Sequence, residues 1–268
     1  LYSKGRKKVR KMQTPLLEFF NVNYIYHTTS CETHSLKDIS FKLNKDEFIS
    51  FVGPSGCGKT TLLNLIARLL KLSSGRIEMK GQPLEETDIS IGYMLQKDHL
   101  LEWRTIYKNL TLGLEIQHKL DKKHLEIVDN LLKTYGLWDF RNVYPRQLSG
   151  GMRQRAALIR TLALAPEILL LDEPFSALDY QTRLNVSDDI GSIIKEKGIS
   201  TLLVTHDLAE AISMADRVIV LSKRPGTIIA DIPIQLSLEK RTPKSSRNAP
   251  EFNDYYNRIW EVVQNENK

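Results

Sequence analysis

The sequence predicts an α/β fold with a mostly parallel sheet, and three observations carry that prediction. Short apolar runs bounded by polar or turn residues recur along the 268-residue chain: FISFV from Phe48, ILLLD from Ile168, TLLVT from Thr201 and RVIVLS from Arg217. The last three each follow a stretch of helical periodicity, as buried parallel strands joined by helices do. The first passes through a glycine-rich turn straight into a helix pattern made by Leu62, Leu63, Ile66, Leu69 and Leu70.

Residues 1–12 form a basic lead, and strands are expected at 16–27 (LLEFFNVNYIYH) and 36–43 (LKDISFKL) before the glycine-rich turn. Between about 97 and 160 the pattern is helical, through KKHLEIVDNLLKTYG and GGMRQRAALIRTLAL, which reads as a helical subdomain inserted in the α/β body. The body is expected to span 13–240. In the tail, 241–268, polar residues with Pro243 and Pro250 give way to Phe252, Tyr255, Tyr256, Ile259 and Val263 at helical spacing. One amphipathic helix is expected there, packed on its own domain rather than on a partner.

Composition narrows the function classes. At 41% hydrophobic and 26% charged the chain is ordinary for a globular protein. No apolar run reaches the roughly 18 residues a membrane span needs, and no apolar stretch follows the basic lead to make a secretory signal. A protein that is soluble and stays inside the cell is expected. The net charge of +6 resides in the lead: Lys4, Arg6, Lys7, Lys8, Arg10 and Lys11 account for it, and the other 32 basic residues balance the 32 acidic ones. A solvated terminus is the favoured reading of the lead; a nucleic-acid- or lipid-binding arm, or translation starting at Met12, are the alternatives. Cys31 and Cys57 fit a reducing compartment, and the histidines show no metal-ligand spacing.

GPSGCGKTT fits G-x-x-x-x-G-K-[ST] and lies between a strand and a helix, as a phosphate-binding loop must. Gly53, Gly56 and Gly58 let the backbone, with Pro54, Ser55, Cys57 and Thr61, approach phosphate oxygens, and the N–H groups at the helix start face the anion. Lys59 is expected on the β- and γ-phosphates and Thr60 on Mg²⁺. The Cys57 thiol, near a helix N-terminus, can be reactive; the simpler reading is that a small side chain is tolerated, and alkylation is expected to block nucleotide binding.

ILLLDEP puts Asp172 and Glu173 at the end of a buried strand. Beside a phosphate loop, Asp172 is expected to hold Mg²⁺ and Glu173 to act as general base on the attacking water. TLLVTHD places His206 at the end of the next strand, in reach of the γ-phosphate. LSGGMRQR opens a helix at which Ser149 caps and Gly150 and Gly151 expose N–H groups, a second anion-facing surface in one chain. Two such surfaces far apart in sequence suggest subunits meeting head-to-tail around shared nucleotides.

In order, GPSGCGKTT, Gln96 in GYMLQ, LSGGMRQR, ILLLDEP, SALD from Ser176 to Asp179, and His206 make the sequence resemble the ATP-binding-cassette ATPases over most of residues 16–236. The resemblance implies a P-loop NTPase core with an N-terminal antiparallel β subdomain and the inserted helical subdomain, and ATP and Mg²⁺ as cofactors. It implies two ATPase subunits, with Ser149 and Gly151, beside Gly150, on the γ-phosphate held by the partner. Gln96 would approach Mg²⁺ and the attacking water, Asp179 would lie across the interface, and Tyr26, with Tyr24 close behind, would stack on adenine. DHLLEWRTIYKNL, YPRQLSGGMRQR and APEFNDYYNRIWEVV are more closely similar to the ATPases of nitrate, sulfonate and taurine-type importers, although Glu102 and Thr161 stand where Pro and Ala are usual. That likeness implies uptake of a small solute at the cytoplasmic face of the cell membrane, with permease subunits, an extracytoplasmic solute-binding protein and no nucleic-acid partner. The alternatives are a cassette ATPase driving another membrane process, such as lipid or lipoprotein extraction, and, less favoured, a soluble cassette ATPase with no transport role.

Overall fold

The computed structural model describes residues 14–27, 29, 31–176, 178–239 and 241–266; the basic lead, Met12 and Ala177 of SALD lie outside the described residues. In chain order the strands are β1 (Leu17–His27), β2 (Glu32–Leu43), β3 (Phe48–Val52), β4 (Ser74–Met79), β5 (Gln82–Pro83), β6 (Ile91–Met94), β7 (Ile168–Asp172), β8 (Ser200–Val204), β9 (Arg217–Leu221) and β10 (Ile228–Pro233). The helices are α1 (Lys59–Ile66), α2 (Ile106–Leu110), α3 (Leu112–Ile116), α4 (Lys122–Thr134), α5 (Gly150–Leu162), α6 (Tyr180–Lys197), α7 (Leu208–Met214), α8 (Pro243–Ser246) and α9 (Phe252–Asn265).

Two sheets form. An antiparallel one runs β2-β1-β4-β5, and a larger one runs β10-β9-β3-β8-β7-β6. In the larger sheet every pairing from β9 to β6 is parallel, and β10 lies antiparallel on the edge. The apolar runs are continuous because both faces of this sheet are covered. Phe48 and Val52 of β3, Leu169 and Leu171 of β7, and Val218 and Val220 of β9 face the helical side with α5, α6, α7 and α9. Their neighbours Ile49, Phe51, Leu170, Ile219 and Leu221 face α1 and the antiparallel sheet. There Phe41 bridges the layers, its ring 4.6 Å from Phe19 and 5.1 Å from Phe51.

The helical segment after Gln96 holds α2 to α5, as its periodicity predicts. The α1 pattern ends sooner than predicted: Arg68 adopts a left-handed φ of 59°, its guanidinium reaches the Thr87 carbonyl, and Leu69 stays exposed. The strands β4, β5, β6 and β10 have no counterpart among the sequence expectations. β6 is only IGYM, and Gly92 is needed because a Cβ there would sit 2.6 Å from Thr161 Cγ2. β10 is only partly buried and so carries little apolar signal.

The tail helix α9 folds back on the body. Phe252 and Ile259 are buried in the helical-side core, and the Gln235 N–H donates to the Tyr255 hydroxyl at 3.1 Å. Ile259→Ala is expected to cost about 3 kcal/mol, the usual range for emptying a filled core site. A denaturation midpoint equal to wild type would show that α9 does not bury this side chain in solution.

Candidate active site

The phosphate-loop segment, 53–61, links β3 to α1 and forms the floor of a cleft of about 500 Å³. Gly58 has a φ of 103°, and a Cβ there would sit 2.6 Å from Leu36 Cδ2 and 2.9 Å from the Ser35 carbonyl oxygen, so the turn admits only glycine. Lys59 Nζ curls back over the loop and donates to the carbonyls of Gly53 (2.8 Å) and Pro54 (2.9 Å). Thr61 Oγ1 lies 3.1 Å from both the Tyr26 phenol and the Ser35 hydroxyl, joining the loop to β1 and β2.

The acidic wall is built by the last residue of β7 and the residue after it. The Thr60 hydroxyl donates to Asp172 Oδ1 at 3.2 Å. Burial pushes the Asp172 carboxyl above its usual range, with the Thr60 hydrogen bond opposing and the neighbouring Glu173 charge adding to the rise. Glu173 holds a left-handed φ of 45°, uncommon for a side-chain-bearing residue, and its N–H donates to the Val204 carbonyl at 2.8 Å. Its Oε2 lies 3.2 Å from Gln96 Nε2 and 3.3 Å from His206 Nδ1. Three segments remote in sequence, after β6, β7 and β8, thus meet on one carboxylate oxygen.

Of the residues singled out from sequence, Tyr26, Ser55, Gly56, Gly58, Lys59, Thr60, Thr61, Glu173 and His206 line the cleft. Tyr24, the other aromatic considered, is buried. Gln96 and Asp172 join through Glu173 and Thr60. Gly53, Pro54 and Cys57 are not among the residues that line the cleft; Gly53 and Pro54 are partly exposed and Cys57 is buried. Cys57 is only 1% exposed, and burial pushes its thiol up despite the nearby Lys59. Burial and the raised thiol favour the simpler reading of Cys57, a packed small side chain, over the reactive one, because desolvation outweighs the helix end.

Ser149, Gly150, Gly151 and Asp179 do not line the cleft. They form a second locus. The Ser149 hydroxyl accepts from the Met152 N–H (3.4 Å) at the start of α5, and Asp179 Oδ1 accepts from the Thr182 N–H (3.0 Å) at the start of α6. The two helix ends are adjacent, since a Cβ on Gly151 would meet Thr182 Cγ2 at 2.8 Å. Each helix end is tied to the cleft's surroundings by an arginine. Arg153 on α5 pairs with Asp98 (2.9 Å) and Glu102 (2.8 Å) in the segment after Gln96. Arg183 on α6 pairs with Asp207 (3.2 Å), next to His206, and donates to the Leu178 carbonyl.

Sequence reasoning missed Ser35 and Arg224, which also line the cleft, and Tyr93, whose hydroxyl donates to Asn64 Oδ1 at 3.0 Å beside Asp172. The available signal for Arg224 was its position just past an apolar strand, where ligand sites of parallel sheets gather.

A family model described as ABC transporter matches residues 36–176. The chain is 44% identical over 250 residues to the uncharacterized ABC transporter ATP-binding protein YtlC of Bacillus subtilis, covering 92% of this chain and 96% of that protein. It is 38% identical over 252 residues to the nitrate import ATP-binding protein NrtD of a Synechocystis species, covering 92% and 95%. Among solved structures, a dimeric post-hydrolysis state of the ATP-binding cassette MJ0796 bound to ADP and Pi matches with a TM-score of 0.71 at 28% identity, covering 82% of this chain and 99% of that one. The chain belongs to the ABC transporter family as an ATPase, its hydrolysis of ATP coupled to transport.

Glu210, on α7 just beyond His206, is 3% exposed. Its Oε1 has no hydrogen-bond partner among the described residues. Burial pushes its carboxyl from 4.5 up to about 7, with Asp207 adding and the Thr205 hydroxyl, Arg183 and Arg247 opposing. The unfolded chain therefore loses this proton at lower pH than the folded one. This group's contribution to stability is greatest below about 4.5, falls as pH rises to about 7, and is flat beyond. Glu210→Gln is expected to raise stability by about 1–3 kcal/mol at pH 8 and by nothing near pH 4.5. Equal effects at both pH values in urea melts would assign the change to packing instead.

Proposed function

We propose that this chain is the ATP-hydrolysing subunit of an importer that takes up a small solute of nitrate, sulfonate, taurine or related type through separate permease subunits. The observation that carries the hydrolytic reading is the meeting of Gln96 and His206 on the Glu173 carboxylate beside the phosphate loop. Glu173 takes a proton from the attacking water, and the Gln96 amide and His206 imidazole orient carboxylate, water and γ-phosphate. Lys59 leaves its two loop carbonyls for the β- and γ-phosphates, and Tyr26 offers its ring to adenine. The Thr60 hydroxyl and Asp172 carboxylate are hard oxygen donors of the kind that suits Mg²⁺, which keeps its remaining positions for water and substrate phosphates. The bound ion would neutralise phosphate charge.

Because Ser149, Gly150 and Gly151 lie off the cleft, the site is completed by a second copy of this chain, whose α5 N-terminus meets the γ-phosphate and whose Asp179 lies across the interface. ATP closes that dimer, closure moves the α2–α5 segment, and that movement is passed to the permease. Hydrolysis reopens it. Among the described residues no helix is long and apolar enough to cross a membrane; in this reading the chain sits on the cytoplasmic face, and an extracytoplasmic protein delivers the solute. The similarity to a nitrate import ATPase supports the importer, as does the likeness of the 98–110 and 249–263 segments to importer ATPases.

Glu173→Gln is expected to keep ATP binding, lose about 10²- to 10⁴-fold in turnover, and accumulate as an ATP-bound dimer by light scattering. Turnover near wild type would remove Glu173 as the base. Affinity purification from detergent-solubilised membranes is expected to recover a polytopic permease; a chain recovered without a membrane partner, with ATPase activity indifferent to membranes, would refute the importer.

A further inference from the structure

The link between β9 and β10 runs Ser222–Thr227 and is held through Gly226 against both β2 and the phosphate loop. The Gly226 N–H donates to the Ser35 carbonyl (2.8 Å) and the Lys37 N–H to the Gly226 carbonyl (2.9 Å), fastening the link to β2. A Cβ on Gly226 would stand 2.0 Å from the Cys57 carbonyl oxygen, so the link also rests against the phosphate loop. The Thr227 N–H donates to Ser222 Oγ at 2.9 Å and closes the turn on itself. On this fixed base Arg224 is exposed and lines the cleft with Tyr26 and Lys59. Arg153, Arg183 and Arg217 each meet a carboxylate; among the described residues the Arg224 side chain meets none and makes no hydrogen bond.

We propose that Arg224 is a nucleotide-binding residue, its guanidinium holding the phosphates that ATP and ADP share. The proposal rests on the reading of the cleft as the ATP site. Strand order decides which phosphates. In the order β9-β3-β8-β7 all strands are parallel, so their C-terminal ends present, along one edge, Arg224, the phosphate loop, His206 and Glu173. A nucleotide whose γ-phosphate faces Glu173 and His206 turns its inner phosphates toward the opposite side, where Arg224 stands. That side also carries Tyr26, because Ser35, to which the link is bonded, shares Thr61 with the Tyr26 phenol. A planar guanidinium matches phosphate oxygens in pairs, and a pinned backbone lowers the ordering cost of binding.

The test is calorimetric titration of the full chain with Mg²⁺-ADP and with a non-hydrolysable ATP analogue, at low and high salt. Arg224→Ala is expected to weaken both ligands by a similar factor, about three- to thirtyfold at low salt, with the gap narrowing as salt rises. Arg224→Lys recovers part of the loss, and the thermal midpoint of the unliganded variants stays at the wild-type value. Unchanged affinity for both ligands in Arg224→Ala overturns the proposal. Loss confined to the ATP analogue overturns it too, because the contact would then lie at the γ-phosphate. Failure of the wild-type chain to bind either ligand would refute the nucleotide site itself, and is distinguished by the absence of any binding to compare.

Discussion

Burial of β3, β7, β8 and β9 on both faces obliges their backbone groups to pair within the sheet, and a shift of one residue in any of them would exchange the side chains of the two cores. Register is therefore set hard: Phe51 opposite Val204, Val52 opposite Val220, Asp172 opposite Val204. Since these strands are parallel, the segments leaving them emerge along one edge. The phosphate loop, His206, Glu173 and Arg224 owe their proximity to that edge and not to any local propensity. The left-handed backbone of Glu173 belongs to the same constraint, since its N–H continues the ladder to Val204 while its side chain turns into the cleft.

The helical layer carries a second set of constraints. The segment after Gln96 is bound to α5 by Arg153, and Arg160 adds bonds from α5 to the carbonyls of Asp98 (2.7 Å) and His99 (2.7 Å). Burial works against the Asp98 carboxylate, but the Arg153 hydrogen bonds and the Leu100 N–H hold it below its usual range, so the pair stays ionised. Glu102, where importer ATPases usually have Pro, adds a carboxylate to the same arginine. That ion pair is half exposed and is worth little in stability; its effect is geometric, keeping Gln96 and the Ser149 end of α5 on one body. On the other flank, Arg183 ties the Leu178–Asp179 turn to Asp207 and so to the start of α7 after His206. Each helix end is thereby bonded to the segment that carries a residue touching Glu173, Gln96 on one flank and His206 on the other.

Much of this was legible in the sequence, and the reasons differ by element. Continuous apolar runs such as ILLLD announce strands covered on both faces, and each of the runs from Phe48, Ile168, Thr201 and Arg217 forms one. β6 and β10 left little trace because one is four residues long with a glycine and the other is a partly covered edge. The end of α1 is hidden because Leu69 keeps helical spacing, while the left-handed Arg68 that stops the helix is stabilised by Thr87, a contact no local pattern encodes. Cys57 is ambiguous from sequence alone: a helix end lowers a thiol pKa and burial raises it, and only packing says which is larger.

By itself the sequence determined the elements whose chemistry is local. A phosphate loop needs glycines at set spacing, a strand buried on both faces needs unbroken apolar residues, and the α5 start needs Ser149 to cap it. Only the tertiary structure decided which side chains meet. Gln96, Glu173 and His206 are brought onto one oxygen by sheet order, Arg224 enters the cleft because Gly226 has no Cβ to clash with Cys57, and the Ser149 end of α5 is kept away from the cleft by packing against α6. Local patterns report what each segment can bury and bond within itself. Proximity across the molecule is set by how the strands are ordered and how the layers fill, and that information is spread over the whole core.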